Sequence, residues 1–219
     1  MRSLSSFLPS ACLVSSLFIA VPSVAAIDVM PKETTVGAKA ETVRIVNNGD
    51  RPEYVVISLS RLLNPGMPLE DERLEPVGDE TRPALYAFPF RMSLAPGQTK
   101  TLTLKPLRPV DTEAVYRLDV RPVVKVLGAE QKRSSASVAV NLAFSTLVRQ
   151  LPATPREGLS VECDASGASL TATGNVRYRV TGARADGRDL DAFNVYPGVP
   201  LAVSGHIVTI PGRPSCRGG

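Results

Sequence analysis

The feature that most constrains this chain is an alternation of apolar and polar residues with period two, broken repeatedly by Gly, Pro, Asn or Asp. Glu41–Asn47 alternates and closes on Asn48-Gly49-Asp50. Tyr54–Leu59 follows at hairpin distance. Arg91–Leu94 runs into the turn Ala95-Pro96-Gly97-Gln98, and Thr99–Leu104 resumes the pattern. Val115–Val120 is a further strand, bent at Arg121-Pro122. No stretch repeats at helical spacing. About seven short strands over about 120 residues predict an immunoglobulin-like β-sandwich.

The longest alternating run is Ala136–Arg149. One face carries Val138, Val140, Leu142 and Phe144, and the other carries Ala139, Asn141, Ala143 and Ser145. A polar segment, residues 128–135, precedes it and reads as a loop. Leu151-Pro152-Ala153-Thr154-Pro155 then reads as a stiff connector, placing a domain boundary between 152 and 153. Beyond it, strands are expected near 159–161, 168–172, 176–180 and 207–210. The expected organisation is an N-terminal domain over 27–152 and a smaller β domain over 153–219.

Residues 1–26 have the pattern of a secretory signal: Arg2, an apolar run from Phe7 to Val21, and small residues ending Val24-Ala25-Ala26. The run is shorter than the roughly 20 residues a span needs, and serines and Pro22 interrupt it. Cleavage after Ala26 is expected, with no membrane insertion of the mature chain. It would leave Cys163 and Cys216, and an even count in an exported protein predicts one disulfide.

Catalysis finds little support. The chain has no Trp and one His, so a histidine metal site is excluded and a triad would have to rest on His206. His206 itself reads as a solvated turn residue, and no catalytic residue, metal or cofactor is assigned. The acidic stretch Glu70-Asp71-Glu72 lacks calcium-loop spacing and reads as solvated. Tyr116 and Arg117 are assigned to the fold. The net charge of +4 is spread along the chain, unlike the basic stripe of a nucleic-acid binder.

Taken in order, these segments resemble the periplasmic fimbrial (pilus-assembly) chaperones. The residues that carry the resemblance are Val43–Asn48, the Leu94–Gly97 turn, Val115–Leu118 and the long strand ending Leu147-Val148-Arg149-Gln150-Leu151-Pro152. Leu62-Leu63-Asn64-Pro65-Gly66, the Val148–Pro152 junction and Thr173-Gly174-Asn175-Val176-Arg177 look closest to the alternate lineage that serves class 5 fimbriae.

The resemblance implies an all-β fold of two immunoglobulin-like sandwiches set at an angle, in the Gram-negative periplasm. It implies a non-enzymatic chaperone that holds fimbrial subunits by donating its strand at 136–149, a β-strand addition, and delivers them to an outer-membrane usher. Val138, Val140, Leu142 and Phe144 would be the inserting row. Arg149 and Lys32 would anchor the subunit's terminal carboxylate. An empty donor edge is an aggregation hazard, so a self-capping homodimer is expected of the free protein. The alternative is a secreted structural fimbrial component or immunoglobulin-like binding module. Against it, Ile27–Pro31 is too short and too soon broken by proline to serve as a donated extension.

Overall fold

A computed structural model describes residues 26–123 and 143–218. The first domain begins with β1 (Ile27–Met30) and β2 (Glu33–Val36), continues through β3 (Glu41–Asn47), β4 (Glu53–Leu62), β5 (Leu74–Pro76), β6 (Leu85–Phe88), β7 (Arg91–Leu94), β8 (Thr99–Pro106) and β9 (Ala114–Pro122), and ends with β10 (Phe144–Gln150). One sheet has the order β1-β3-β8-β6. The facing sheet has the order β2-β10-β9-β4-β5, with β7 also paired to β4. The chain changes sheets between β1 and β2, with Pro31 at the crossing, where a missing N–H costs no ladder bond. Ile27–Met30 pairs antiparallel with β3 and buries Ile27 and Val29, so the segment is used inside its own fold.

Alternation along the strands produces the core. Val43 and Ile45 of β3, Leu102 and Leu104 of β8, Val55 and Ile57 of β4, and Leu118 and Val120 of β9 all point inward. Each such side chain contributes about 1.5–3 kcal/mol on leaving water. Buried Asn47 closes the end of the sandwich. Its Nδ2 donates to the carbonyls of Arg51 (2.7 Å), Leu94 (3.2 Å) and Ala95 (3.2 Å), and its Oδ1 accepts from the Gly49 N–H at 2.9 Å. It thereby joins the two turns that the sequence marks, and Gly97 supplies the left-handed residue (φ +69°) of the second.

The second domain contains β11 (Leu159–Asp164), β12 (Gly167–Ala172), β13 (Tyr178–Val180), β14 (Arg184–Ala185), β15 (Arg188–Asp189), β16 (Phe193–Val195), β17 (Leu201–Ser204), β18 (Ile207–Thr209) and β19 (Cys216–Arg217). These form three small sheets, β11-β12-β17, β13-β16 and β15-β14-β18-β19, around a core that includes Leu159, Leu170, Val195 and Ile210. Cys163 and Cys216 are disulfide-bonded, joining β11 of one sheet to β19 of another. The expected bridge is therefore present, in the domain with the smaller core. The strands β14 to β17 and β19 were not expected from the sequence. They have two to four residues each, too few to carry a readable period.

The only helical elements among the described residues are two 3₁₀ turns, Leu69–Asp71 and Val77–Asp79. The first corrects the expectation of a solvated acidic loop. Glu72, directly after it, is 4% exposed at its side chain and makes a two-pronged ion pair with Arg117 of β9. Bonding to Glu72 raises the Arg117 guanidinium above its ordinary value. Tyr116 is buried, as a fold residue should be, and burial together with the Glu80 charge pushes its phenol up to about 12.

Candidate functional site

Strand β10 is the element on which the expected site depends, and its two edges are not equivalent. One edge pairs antiparallel with β9 along its whole length, from Phe144↔Val120 to Gln150↔Ala114. The other edge pairs parallel with β2 only from Leu147↔Glu33 to Gln150↔Val36. Over Phe144–Thr146 that second edge has no strand partner among the described residues. Unpaired edge groups of this kind are a template for an added strand.

Side-chain parity along β10 decides which residues face what. Thr146, Val148 and Gln150 are buried within the first domain, and half-buried Phe144 packs against the same core. Leu147 and Arg149 lie on the opposite face, toward the second domain. Leu147 there joins Leu62 and Val115 of the first domain and Tyr196 and Val199 of the second in a small apolar cluster. Of the expected inserting row, Phe144 is described and lies on the core-facing parity. Val138, Val140 and Leu142 lie outside the described residues, as do the polar segment 128–135 and residues 1–25 of the expected export signal.

Arg149 and Lys32, expected to share one role, stand in different surroundings. The Arg149 side chain is 13% exposed and committed: Nε donates to Glu113 Oε1 at 2.5 Å, and Nη1 lies 3.4 Å from Glu33 Oε1. Glu113, whose side chain is fully buried, also accepts the Arg177 backbone N–H at 2.6 Å. Arg177 of the second domain places its guanidinium on Glu33 at 2.8 and 3.1 Å and on the Tyr196 hydroxyl at 3.4 Å. Two guanidiniums and two carboxylates thus alternate across the junction between the domains. Burial acts to raise the Glu33 carboxyl. The Arg177 hydrogen bonds and the charges of Arg177 and Arg149 outweigh it, and the net shift is downward. Burial acts to lower the Arg177 guanidinium, but Glu33 and Tyr196 hold it above its ordinary value.

Lys32, at the free edge of β10, has a side chain 64% exposed. Its ammonium pairs with Asp28 and lies 5.3 Å from the centre of the Phe144 ring, within cation–π range. The Lys32 hydrogen bond draws the Asp28 carboxyl below the usual carboxylate range, helped by the Val29 N–H against the effect of burial. The Lys32 carbonyl accepts the Leu147 N–H at 3.1 Å, so the lysine stands where β2 and β10 begin to pair.

The sequence did not single out Glu33 or Glu113 as site residues, and it noted Asn175 and Arg177 only as part of the Thr173–Arg177 segment. That segment turns out to fasten the domains together. Asn175 Nδ2 donates to the carbonyls of Asp111 (3.2 Å) and Thr154 (3.1 Å), and its backbone carbonyl accepts the Glu113 N–H at 2.8 Å. Gly174 is required there, because a Cβ at that position would stand 2.0 Å from the Arg156 carbonyl oxygen.

No family model matches the chain. Among curated proteins it is similar to a CS1 fimbrial subunit of Escherichia coli, 25% identical over 151 residues, which are 67% of this chain and 62% of that protein. It is also similar to a CFA/I fimbrial subunit of Escherichia coli, 26% identical over 145 residues, 64% and 60% of the two chains. The matches thus span about three-fifths of the length of these relatives.

Among solved structures, the chain is similar to the class 5 fimbriae chaperone CfaA (TM-score 0.66, 19% identity, 86% of this chain and 93% of that one). A chain from a chaperone–tip adhesin complex of CFA/I fimbriae biogenesis matches with TM-score 0.66 and 20% identity, over 89% and 99% of the two chains. A chain from the Salmonella enterica SafA pilin–SafB chaperone complex matches with TM-score 0.58 and 12% identity, over 87% and 90%. At these identities the likeness establishes the fold, two immunoglobulin-like β-sandwich domains in the arrangement of the fimbrial chaperones. The resemblance drawn from the residues is borne out at that level.

Proposed function

We propose that this protein is a non-enzymatic periplasmic chaperone for fimbrial subunits, acting by donor-strand complementation and passing its cargo to an outer-membrane usher. The observation that carries this reading is the half-paired strand β10. It leaves the domain junction held on both edges and reaches Phe144 held on one. A subunit whose own sheet lacks a strand would pair along that open edge, through main-chain hydrogen bonds that demand little of sequence. Val138, Val140, Leu142 and Phe144 would fill its groove. The relatives named for fimbrial subunits and the chaperone structures support this choice of cargo.

The two cations would then divide the anchoring of the subunit's terminal carboxylate. Lys32 is accessible at the open edge and needs only to exchange Asp28 for the incoming group. Arg149 is already balanced by Glu113 and Glu33, so it reaches a carboxylate only if Glu33 swings away. An export signal ending at Ala26 agrees with a fold whose first strand starts at Ile27. In the free protein the open edge would be capped by a second copy.

The test is co-purification from the periplasm of cells producing a class 5-type fimbrial subunit, comparing the parent with Leu142→Asp and Lys32→Glu. The parent is expected to retain its cargo, Leu142→Asp to lose it and Lys32→Glu to retain much less. Equal recovery by all three, each shown to be folded by its melting curve, would refute the reading. Light scattering on the free protein tests the capped dimer, and a monomer mass at every concentration would remove it.

A further inference from the structure

A cleft lies away from β10, on the first domain. It opens between edge strand β6 of one sheet and β4 of the other, with a volume of about 330 Å³. Ile57 and Leu59 form its floor, Val77 and Pro83 stand along it, and Tyr86 and Phe90 form its aromatic side. The two rings meet edge to face at 5.2 Å. Glu80 also lines the cleft, with one carboxylate oxygen buried and without a hydrogen-bond partner. Among the described residues the Glu80 side chain makes no ion pair.

Each of these features is costly alone. A buried carboxylate oxygen without a donor loses its hydration with nothing in return. Phe88, at the end of edge strand β6, is 59% exposed, and Phe90, in the bend that follows it, is 49% exposed.

One chemical group resolves all of them: a planar cation on an apolar stem. An arginine side chain would lay its methylenes on Ile57, Leu59 and Val77, its guanidinium face on the aromatic rings, and its N–H fork on Glu80. The exposed Phe88 and Phe90 beside the cleft extend the contact beyond one side chain, which selects a protein surface over a free small molecule. We propose that this cleft is a docking site for a partner protein that inserts an arginine between Glu80 and the Tyr86–Phe90 pair. The site does not depend on the role of β10 and would stay open while cargo occupies that strand.

The test is a titration of the isotope-labelled protein with N-acetyl-arginine methylamide, followed by amide chemical shifts, beside the uncharged N-acetyl-citrulline methylamide. Saturable shifts confined to residues 57–59, 77–80 and 86–90 are expected. The arginine probe should bind at least about fivefold more tightly than citrulline, the margin expected of a cation held by a carboxylate and two rings. Glu80→Gln should abolish that preference, and Phe90→Leu, which keeps an apolar side chain but loses the ring, should reduce it. Equal binding of the two probes, no shift with arginine, or an unchanged preference in Glu80→Gln would overturn the proposal. So would a dimer in light scattering that Phe90→Leu dissociates, because it would assign the cleft to a second copy of this chain.

Discussion

The two ends of β10 differ more than their shared alternation suggests. At the domain junction, Leu147–Gln150 is paired on both edges, Gln150 is buried, and Arg149 is locked among Glu113, Glu33 and Arg177. At the other end, Phe144–Thr146 is paired on one edge, and the nearby cation, Lys32, is exposed. One strand therefore serves as a fixed root and as an open edge. The contrast teaches that a place beside the proposed donor strand does not by itself make a cation available: Arg149 is held in a network that joins the two domains, and Lys32 is accessible.

The contrast can be broken most strongly at the root. Glu113→Ala would leave Arg149 without its closest carboxylate in a buried site and remove the acceptor of the Arg177 N–H. A loss of about 3–5 kcal/mol is expected, read from urea unfolding. Gln150→Ala comes next. The Gln150 amide donates to the carbonyls of Ala84 (3.3 Å) and Arg108 (2.9 Å) and accepts from the Tyr116 hydroxyl at 3.3 Å. Leaving those buried groups unmet should cost about 2–3 kcal/mol in the same measurement.

Acid should loosen the junction in a defined direction. The Glu33 carboxyl is depressed in the folded state below its ordinary value of 4.5, so its contribution is fully present above that value. It is lost as pH falls through the lower folded value. Melting temperature should fall more steeply below about pH 4.5 in the parent than in Glu33→Gln, and parallel curves would count against the pairing. The smallest effect is expected at the open end: Lys32→Ala should change stability by less than about 1 kcal/mol, because an exposed pair and one cation–π contact contribute little. A larger loss would mean that Lys32 is structural too.

Legibility in the sequence followed the length and environment of each element. Glu41–Asn47 and Arg91–Leu94 alternate cleanly against one buried face, and both appear as strands with those bounds. β1 and β2 were hidden because Pro31 interrupts the run and divides it between two sheets. The disulfide was legible from the cysteine count and compartment alone. The junction was not, because its partners are distant in the chain: Arg149 meets Glu113 across 36 residues and Glu33 across 116, and Arg177 meets Glu33 across 144. No local period encodes such contacts. Parity carried a signal that could have been used, since Arg149 stands on the face opposite Phe144 and so toward the second domain.

Backbone amide exchange of β10, with and without a bound fimbrial subunit, tests the central claim most directly. Strand donation predicts that amides of Leu147–Gln150 are protected in both states, while those of 136–146 that do not bond to β9 gain protection in the complex over the free monomer. Unchanged exchange over 136–146 on stable binding of a subunit would contradict it.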